Sequence, residues 1–295
     1  MFKNDWVKYG FALYGAPPNH FVIDYSAAVH NGTETPLELA QKVAWELHHT
    51  YGPLTVMLSG GVDSQACAYA FKTAGVPVRF VMARYNDGMN DHDIMSSEAF
   101  YIAHEIEREI MEVDILAFHE TELKLWAERY FCSSPHMLSH MKIASMIEGT
   151  VVFSGCLVTN DGFVGNLDYR TFALERYDER SNQTMIGYFF SYDPALHASF
   201  SRCRSASRSF TNMDHYVRKC RIYEEAGFPV HPQPEKLHGF EKIKEHYDAV
   251  KVSPRDRLKH KNRGSIRPYD LMFRFALEES VGVPRLETKT IHRGA

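Results

Sequence analysis

Nowhere do about 18 apolar residues follow one another, the length a helix needs to cross a bilayer. The opening MFKNDWVKYGFALYG sets Lys3, Asp5 and Lys8 among aromatics, so it lacks the apolar stretch of a secretory signal. Cysteine is scarce: Cys67, Cys132, Cys156, Cys203 and Cys220 are an odd set without a C-x-x-C pair. That argues against a disulfide framework or a zinc ribbon and for buried thiols in a reducing compartment. Excess charge of one sign is missing too, with 33 basic against 37 acidic residues and a pI near 6.5. A globally basic nucleic-acid coat is excluded, although a local basic patch is not. No repeat or low-complexity tract occurs. What is present, 295 residues at 44% hydrophobic and 24% charged, suits a soluble cytoplasmic enzyme or binding protein of one large or two modest domains.

Residues 1–35, rich in Tyr, Phe, Gly and Pro, read as short strands and turns. Thr35-Pro36 opens a helix carrying Leu37, Leu39, Val43, Ala44 and Leu47, which Gly52-Pro53 breaks. The run Leu54 to Leu58 (LTVML) is too short for a helix and suits a strand buried on both faces. A helix from about Asp63 to Thr73 follows, then a strand from Val78 to Ala83. The spacing of Ile94, Ala99, Ile102, Ala103 and Ile106 predicts a long helix over Asp91 to Ile110. A strand at Val113 to Phe118, helices at Glu122 to Tyr130 and Met137 to Ile147, and a strand at Thr150 to Ser154 continue the alternation. Such alternation predicts an α/β fold, a parallel sheet with helices on both faces. After Gly165 the pattern loosens, with a strand candidate at Met185 to Phe190 and helices at Asp214 to Glu225 and Tyr269 to Ser280. The expected division is an N-terminal part (1–50), an α/β core (51–166) and a mainly helical part (167–295).

The informative segment is Leu58-Ser59-Gly60-Gly61-Val62-Asp63-Ser64, between the buried strand and its helix. Consecutive glycines turn the chain tightly and bring backbone N–H groups close to an anion. The helix aims its positive end at the same spot. Ser59 and Ser64 add hydroxyl donors suited to pyrophosphate oxygens. Asp63 would repel phosphate unless a divalent cation bridged the two. The plain alternative is a helix N-cap after a glycine turn. No G-x-x-x-x-G-K-[ST] occurs, so this is not a Walker loop.

So placed, the S-G-G-x-D-S hexad resembles the PP-loop of the N-type ATP pyrophosphatases, which include asparagine, β-lactam, GMP and NAD synthetases and tRNA lysidine and thiolation enzymes. The resemblance implies an adenine nucleotide α-hydrolase-like fold. It also implies ATP and Mg²⁺ as cofactors and adenylation of a carbonyl or carboxylate oxygen, with release of pyrophosphate. An amine, ammonia or sulfur nucleophile then displaces AMP. Within that superfamily the chain looks most like the synthetase domain of asparagine synthetase over roughly residues 36–166. Val151-Val152-Phe153-Ser154-Gly155, running on to Gly165, resembles that domain's second loop in degenerate form and implies Asp161 as a second metal-binding carboxylate beside Asp63. The resemblance also lays the base along Phe80, Val81, Met82, Ala83 and Arg84, with Arg84 a phosphate or substrate contact. It calls for a C-terminal cation at the triphosphate. Lys236 on its Pro/Gly loop is one candidate, the run Arg255, Arg257, Lys259, His260, Lys261, Arg263 and Arg267 another.

The departures matter. The second residue is Phe2 rather than a nucleophilic cysteine, and about fifty residues precede the loop, so no glutaminase domain is expected; ammonia would be free or delivered by a partner, or the nucleophile is something else. Zinc-binding and paired-cysteine members are disfavoured by the cysteine spacing. The alternatives are a nucleobase-modifying enzyme that binds RNA or DNA through 255–267, or a non-catalytic nucleotide-binding protein. Arg202, Arg204 and Arg208 read as a lid or an exposed linker. His48-His49 and the pair His136 and His140, one helical turn apart after Pro135, read as surface or core residues rather than metal ligands. A small-molecule acceptor is expected, a membrane is not, and a homo-oligomer stays open.

Overall fold

The computed structural model describes residues 3–9, 21–23, 32–130, 135–155, 177, 178, 180, 181, 183–206 and 214–233. An antiparallel pair, β1 (Val7–Tyr9) and β2 (Phe21–Ile23), precedes the main body. Helix α1 (Pro36–Tyr51) starts at a capping box. The Thr35 hydroxyl accepts from the Glu38 N–H, and the Glu38 carboxylate accepts from the Thr35 N–H. Then follow β3 (Leu54–Leu58), α2 (Val62–Ala74), β4 (Val78–Tyr85), α3 (Asp91–Ala103) and β5 (Glu109–Val113). Further on are α4 (Ile115–Ala117), a π-helical turn Phe118–Glu122, α5 (Leu123–Tyr130), α6 (Pro135–Ala144) and β6 (Thr150–Val152). Last come β7 (Met185–Ile186), α7 (Phe189–Tyr192), α8 (Pro194–Ser199) and α9 (His215–Glu225).

Five parallel strands stand in the order β5-β4-β3-β6-β7. Period-2 alternation divides the core between the two faces of this sheet. Leu54, Val56, Leu58, Phe80, Met82, Val152 and Ile186 pack with α1, α2 and α9. Met57, Val81, Ala83, Tyr85, Val113, Val151 and Met185 pack with Trp6 and the helical segments between Ile115 and Tyr130 and between Pro135 and Ala144. This is an α/β fold with helices on both faces. Helix α1, Phe189 and Phe190 of α7, Leu196 of α8 and the buried face of α9 share the first of these clusters with the glycine-turn helix.

Three expectations need correction toward the edges of the sheet. The long helix stops at Ala103 instead of Ile110. Glu105 takes a left-handed φ of 52°, and the Ile106 N–H returns to the Tyr101 carbonyl. Ile102, counted with the apolar face, is 68% exposed. The strand placed at Val113 to Phe118 lies at Glu109–Val113, where the edge position leaves Glu109 and Glu112 in solvent. Ile115–Ala117 is helical, started by Asp114 accepting from the Ala117 N–H. The strand expected to reach Phe190 ends at Ile186, and Phe190 belongs to α7. The helix expected at Tyr269 to Ser280 lies outside the described residues.

Candidate active site at the glycine turn

β3 leaves the sheet at Ser59, and α2 begins at Val62. Gly60 makes the turn at φ 77°, against the start of α3: a Cβ there would stand 2.3 Å from the Asp93 carbonyl oxygen. Gly61 occupies the N-cap of α2 at φ −72°, ψ 158° and supplies no side-chain hydrogen bond. The first N–H groups of α2 therefore meet no oxygen from their own cap residue, which leaves the positive helix end able to hold an anion. Ser64, 1% exposed, ties the turn together. Its Oγ accepts from the Ser59 N–H at 3.2 Å, lies 3.3 Å from Ser59 Oγ and donates to the Gly61 carbonyl at 2.8 Å. Ser59 is exposed at the mouth of the turn. Beneath it lies Tyr101, fully buried, and burial pushes its phenol pKa up.

Asp63 sits in the first turn of α2 and meets α9. The Lys219 ammonium donates to Asp63 Oδ2 at 3.0 Å, and the Tyr223 hydroxyl donates to Asp63 Oδ1 at 2.8 Å. Four residues apart, Lys219 and Tyr223 share one face of the helix. The lysine side chain is 1% exposed and the aspartate side chain 15%. Arg218, also buried, fixes the helix by donating to the Ser205 and Ala206 carbonyls. Fully buried Gln65 sews the chain after α9 to the turn. Its Nε2 donates to the Gly60 carbonyl at 2.9 Å and the His231 carbonyl at 3.1 Å, and its Oε1 accepts from the His231 N–H at 2.7 Å. Gln233 Nε2 donates to Asp93 Oδ1 and Ser96 Oγ of α3.

Ser59, Gly60, Gly61, Val62, Asp63 and Ser64 thus form one turn, with Ser64 directed inward as its brace. Met82, 1% exposed, packs in the core beside it. Arg84 projects from the strand end, where its guanidinium pairs with Asp91 at 2.8 Å and lies 3.7 Å from Glu112. Asp161, Lys236, Arg208 and the run 255–267 lie outside the described residues. Arg202 donates to the Gly32 carbonyl. His48 and His49 cluster with the Trp45 ring, and His136 and His140 lie ring against ring. Among the described residues no three His, Cys, Asp or Glu side chains gather for a metal. Cys67, Cys203 and Cys220 are buried, and burial holds Cys203 up at about 11. No described helix is long and apolar enough to cross a membrane.

Sequence reasoning missed Lys219, Tyr223 and Gln65. The charge-rich run His215–Glu225 reads as a helix in which nothing sets Lys219 apart from its charged neighbours. Its one signal was the spacing of Tyr216, Cys220 and Tyr223, which marks a face turned inward with Lys219 beside it.

Magnesium is held through one or two carboxylates together with substrate phosphates. A single carboxylate at Asp63, which already accepts from Lys219 and Tyr223, fits an ion that arrives with a triphosphate better than a site built wholly from protein ligands.

No protein-family profile matches the chain, and no curated protein does so at significant similarity. Among solved structures, NMN synthetase from Francisella tularensis aligns at 12% identity and TM-score 0.33, over 88% of this chain and 100% of its own. NAD+ synthetase from Burkholderia pseudomallei aligns at 14% identity and TM-score 0.31, over 80% of this chain and 93% of its own. Function therefore has to be read from the residues themselves.

Proposed function

We propose that the turn Ser59 to Ser64 binds the triphosphate of ATP and that the chain adenylates a small acid or carbonyl compound, releasing pyrophosphate. The observation that carries this reading is the buried Lys219 ammonium held 3.0 Å from Asp63 at the start of α2. A lysine this buried costs several kcal/mol unless compensated. The fold places one, from far along the chain, beside a helix end that already favours anions. Lysine, helix end and glycine-turn N–H groups together suit several negative charges, and the Asp63 carboxylate balances the lysine.

In the reaction proposed, a carboxylate oxygen of the acceptor attacks the α-phosphorus of ATP. The bond to the bridging oxygen breaks, and pyrophosphate leaves with the electron pair. Lys219 offers positive charge to the departing phosphates, and the α2 N–H groups hold their oxygens. Bound Mg²⁺ would neutralise phosphate charge, with Asp63 as its protein ligand. Ammonia or an amine then adds to the acyl carbon, AMP departs, and the nitrogen loses a proton to solvent. The product is an amide, as in asparagine synthetase-like chemistry, with the base lying along the β4 edge near Met82.

The test is incubation with ATP and Mg²⁺ over a panel of carboxylic acids, with and without ammonium. AMP and pyrophosphate are expected in equal amounts. ADP and free phosphate would overturn the proposal.

A further inference from the structure

Just past the glycine turn, one edge of β4 is occupied by a side chain instead of a strand. β3 pairs with β4 only as far as Leu58, opposite Met82, because the chain leaves the sheet at Ser59. β4 runs on to Tyr85, flanked on its other side by β5, whose partners include Ala83, Arg84 and Tyr85. The Tyr85 N–H donates to Asn90 Oδ1 at 2.8 Å, and Asn90 Nδ2 donates to the Ala83 carbonyl at 2.8 Å. Asn90 therefore stands where β3 would have continued. It is 8% exposed, and Ala83 and Tyr85 are 7% each. The turn is its neighbour, since Gly60 packs on the carbonyl of Asp93, three residues after Asn90.

A carbonyl at one residue and an N–H two residues on make an acceptor–donor pair on a strand edge. The pair takes a planar group that carries an amino donor beside a lone-pair acceptor. A carboxamide has that pattern. So does a 6-aminopurine, whose N6 amino group lies beside the N1 lone pair, whereas a 6-oxopurine presents the reverse.

We propose that Asn90 is a stand-in for a nucleobase. Its carboxamide fills the Ala83–Tyr85 edge in the ligand-free protein and swings away when a 6-aminopurine takes over both hydrogen bonds. The exchange leaves neither backbone group unpaired in either state, which in a buried edge would be costly. Asn90 thereby sets affinity for the base, and the edge beneath it sets the selectivity. The inference rests on the triphosphate reading of the adjacent turn.

Calorimetric titration of the full chain with Mg·ATP, Mg·ITP and tripolyphosphate separates the possibilities, run on wild type, Asn90→Ala and Asn90→Ser. Removing the competing carboxamide should tighten ATP about tenfold, the equivalent of one to two hydrogen bonds. Tripolyphosphate and ITP affinities should stay put. Hydrogen exchange gives a second reading. The Tyr85 amide should be protected in wild type, exchange quickly in free Asn90→Ala, and regain protection with ATP but not with tripolyphosphate. ATP binding no tighter in both variants, or a Tyr85 amide left unprotected with ATP bound, would make Asn90 a brace of the turn and overturn the proposal. If wild type binds neither ATP nor tripolyphosphate, the triphosphate reading itself fails and this inference falls with it.

Discussion

Lys219 Nζ stands 3.0 Å from Asp63 Oδ2 across 156 residues of sequence, and the Tyr223 hydroxyl holds the other carboxylate oxygen. The two partners are unequally buried, the lysine almost wholly and the aspartate less so, so removing one does not mirror removing the other.

Asp63→Asn leaves a buried ammonium without its counter-charge and is expected to destabilise the fold by about 3 kcal/mol or more. Lys219→Met leaves a carboxylate that keeps Tyr223 and some solvent, so the stability loss is smaller while pyrophosphate release is lost. The double variant should recover stability over Asp63→Asn and stay inactive. Thermal melts and a pyrophosphate assay on the three proteins decide it. Equal melting of Asp63→Asn and the double variant would show that the two groups are not coupled.

The two glycines of the turn should respond differently to alanine. At Gly60 the backbone has a positive φ and a Cβ would meet the Asp93 carbonyl at 2.3 Å. Gly60→Ala should cost about 2 kcal/mol or more and displace the start of α3. At Gly61 the backbone is extended and the nearest atom, Ser59 Oγ, is 3.6 Å from the added carbon. Gly61→Ala should melt close to wild type. Similar melting temperatures for both would contradict this geometry.

Gln65→Ala removes three hydrogen bonds that tie residue 231 to the glycine turn. Hydrogen exchange should accelerate at the His231 amide more than in the centre of α1. Gln65→Glu keeps an acceptor for that amide but sets a carboxylate against two carbonyls, so it should destabilise the segment further as the pH rises. Unchanged exchange at His231 in Gln65→Ala would refute the tether.

Asp178 gives a pH-dependent prediction. Burial raises its carboxyl pKa to about 6, against an ordinary 3.8, even though Oδ1 accepts from the Met185 N–H. The folded state thus holds this proton more tightly than the unfolded chain. Its stabilising effect is complete below about pH 4 and is lost as the pH rises through 6. Asp178→Asn should be more stable than wild type at pH 8 by about 2–3 kcal/mol, an advantage that fades toward pH 4. Melting curves across that range test it. A constant difference would place the cause elsewhere.

The sheet centre was legible because LTVML, VRFVMA and TVV are short, largely apolar runs, each directly preceded by Gly or Pro. The edge was not. EIMEV reads as the end of an amphipathic helix until Glu105 adopts a left-handed backbone, which its residue type does not announce. The turn itself was legible from two glycines between strand and helix. Its counter-charge was not, because one lysine in the charge-rich HYVRKCRIYEE looks like any surface lysine, and only tertiary packing turns it inward. Ser64 carries a similar lesson: a hydroxyl in a glycine turn reads as a ligand donor, yet this one closes the turn on itself.

The strand order has a consequence for how the chain comes to be assembled during synthesis. β3 joins its neighbour β4 across a short span, but it must wait for β6, some ninety residues later, to be covered on its other side. Pairings this distant form slowly, because a long loop must close before they return any energy. Lys219 arrives later still. A nascent or truncated polypeptide that ends before α9 would carry the glycine turn with Asp63 lacking its Lys219 and Tyr223 contacts. Such a fragment would carry a more negative field at the glycine turn than the finished chain does.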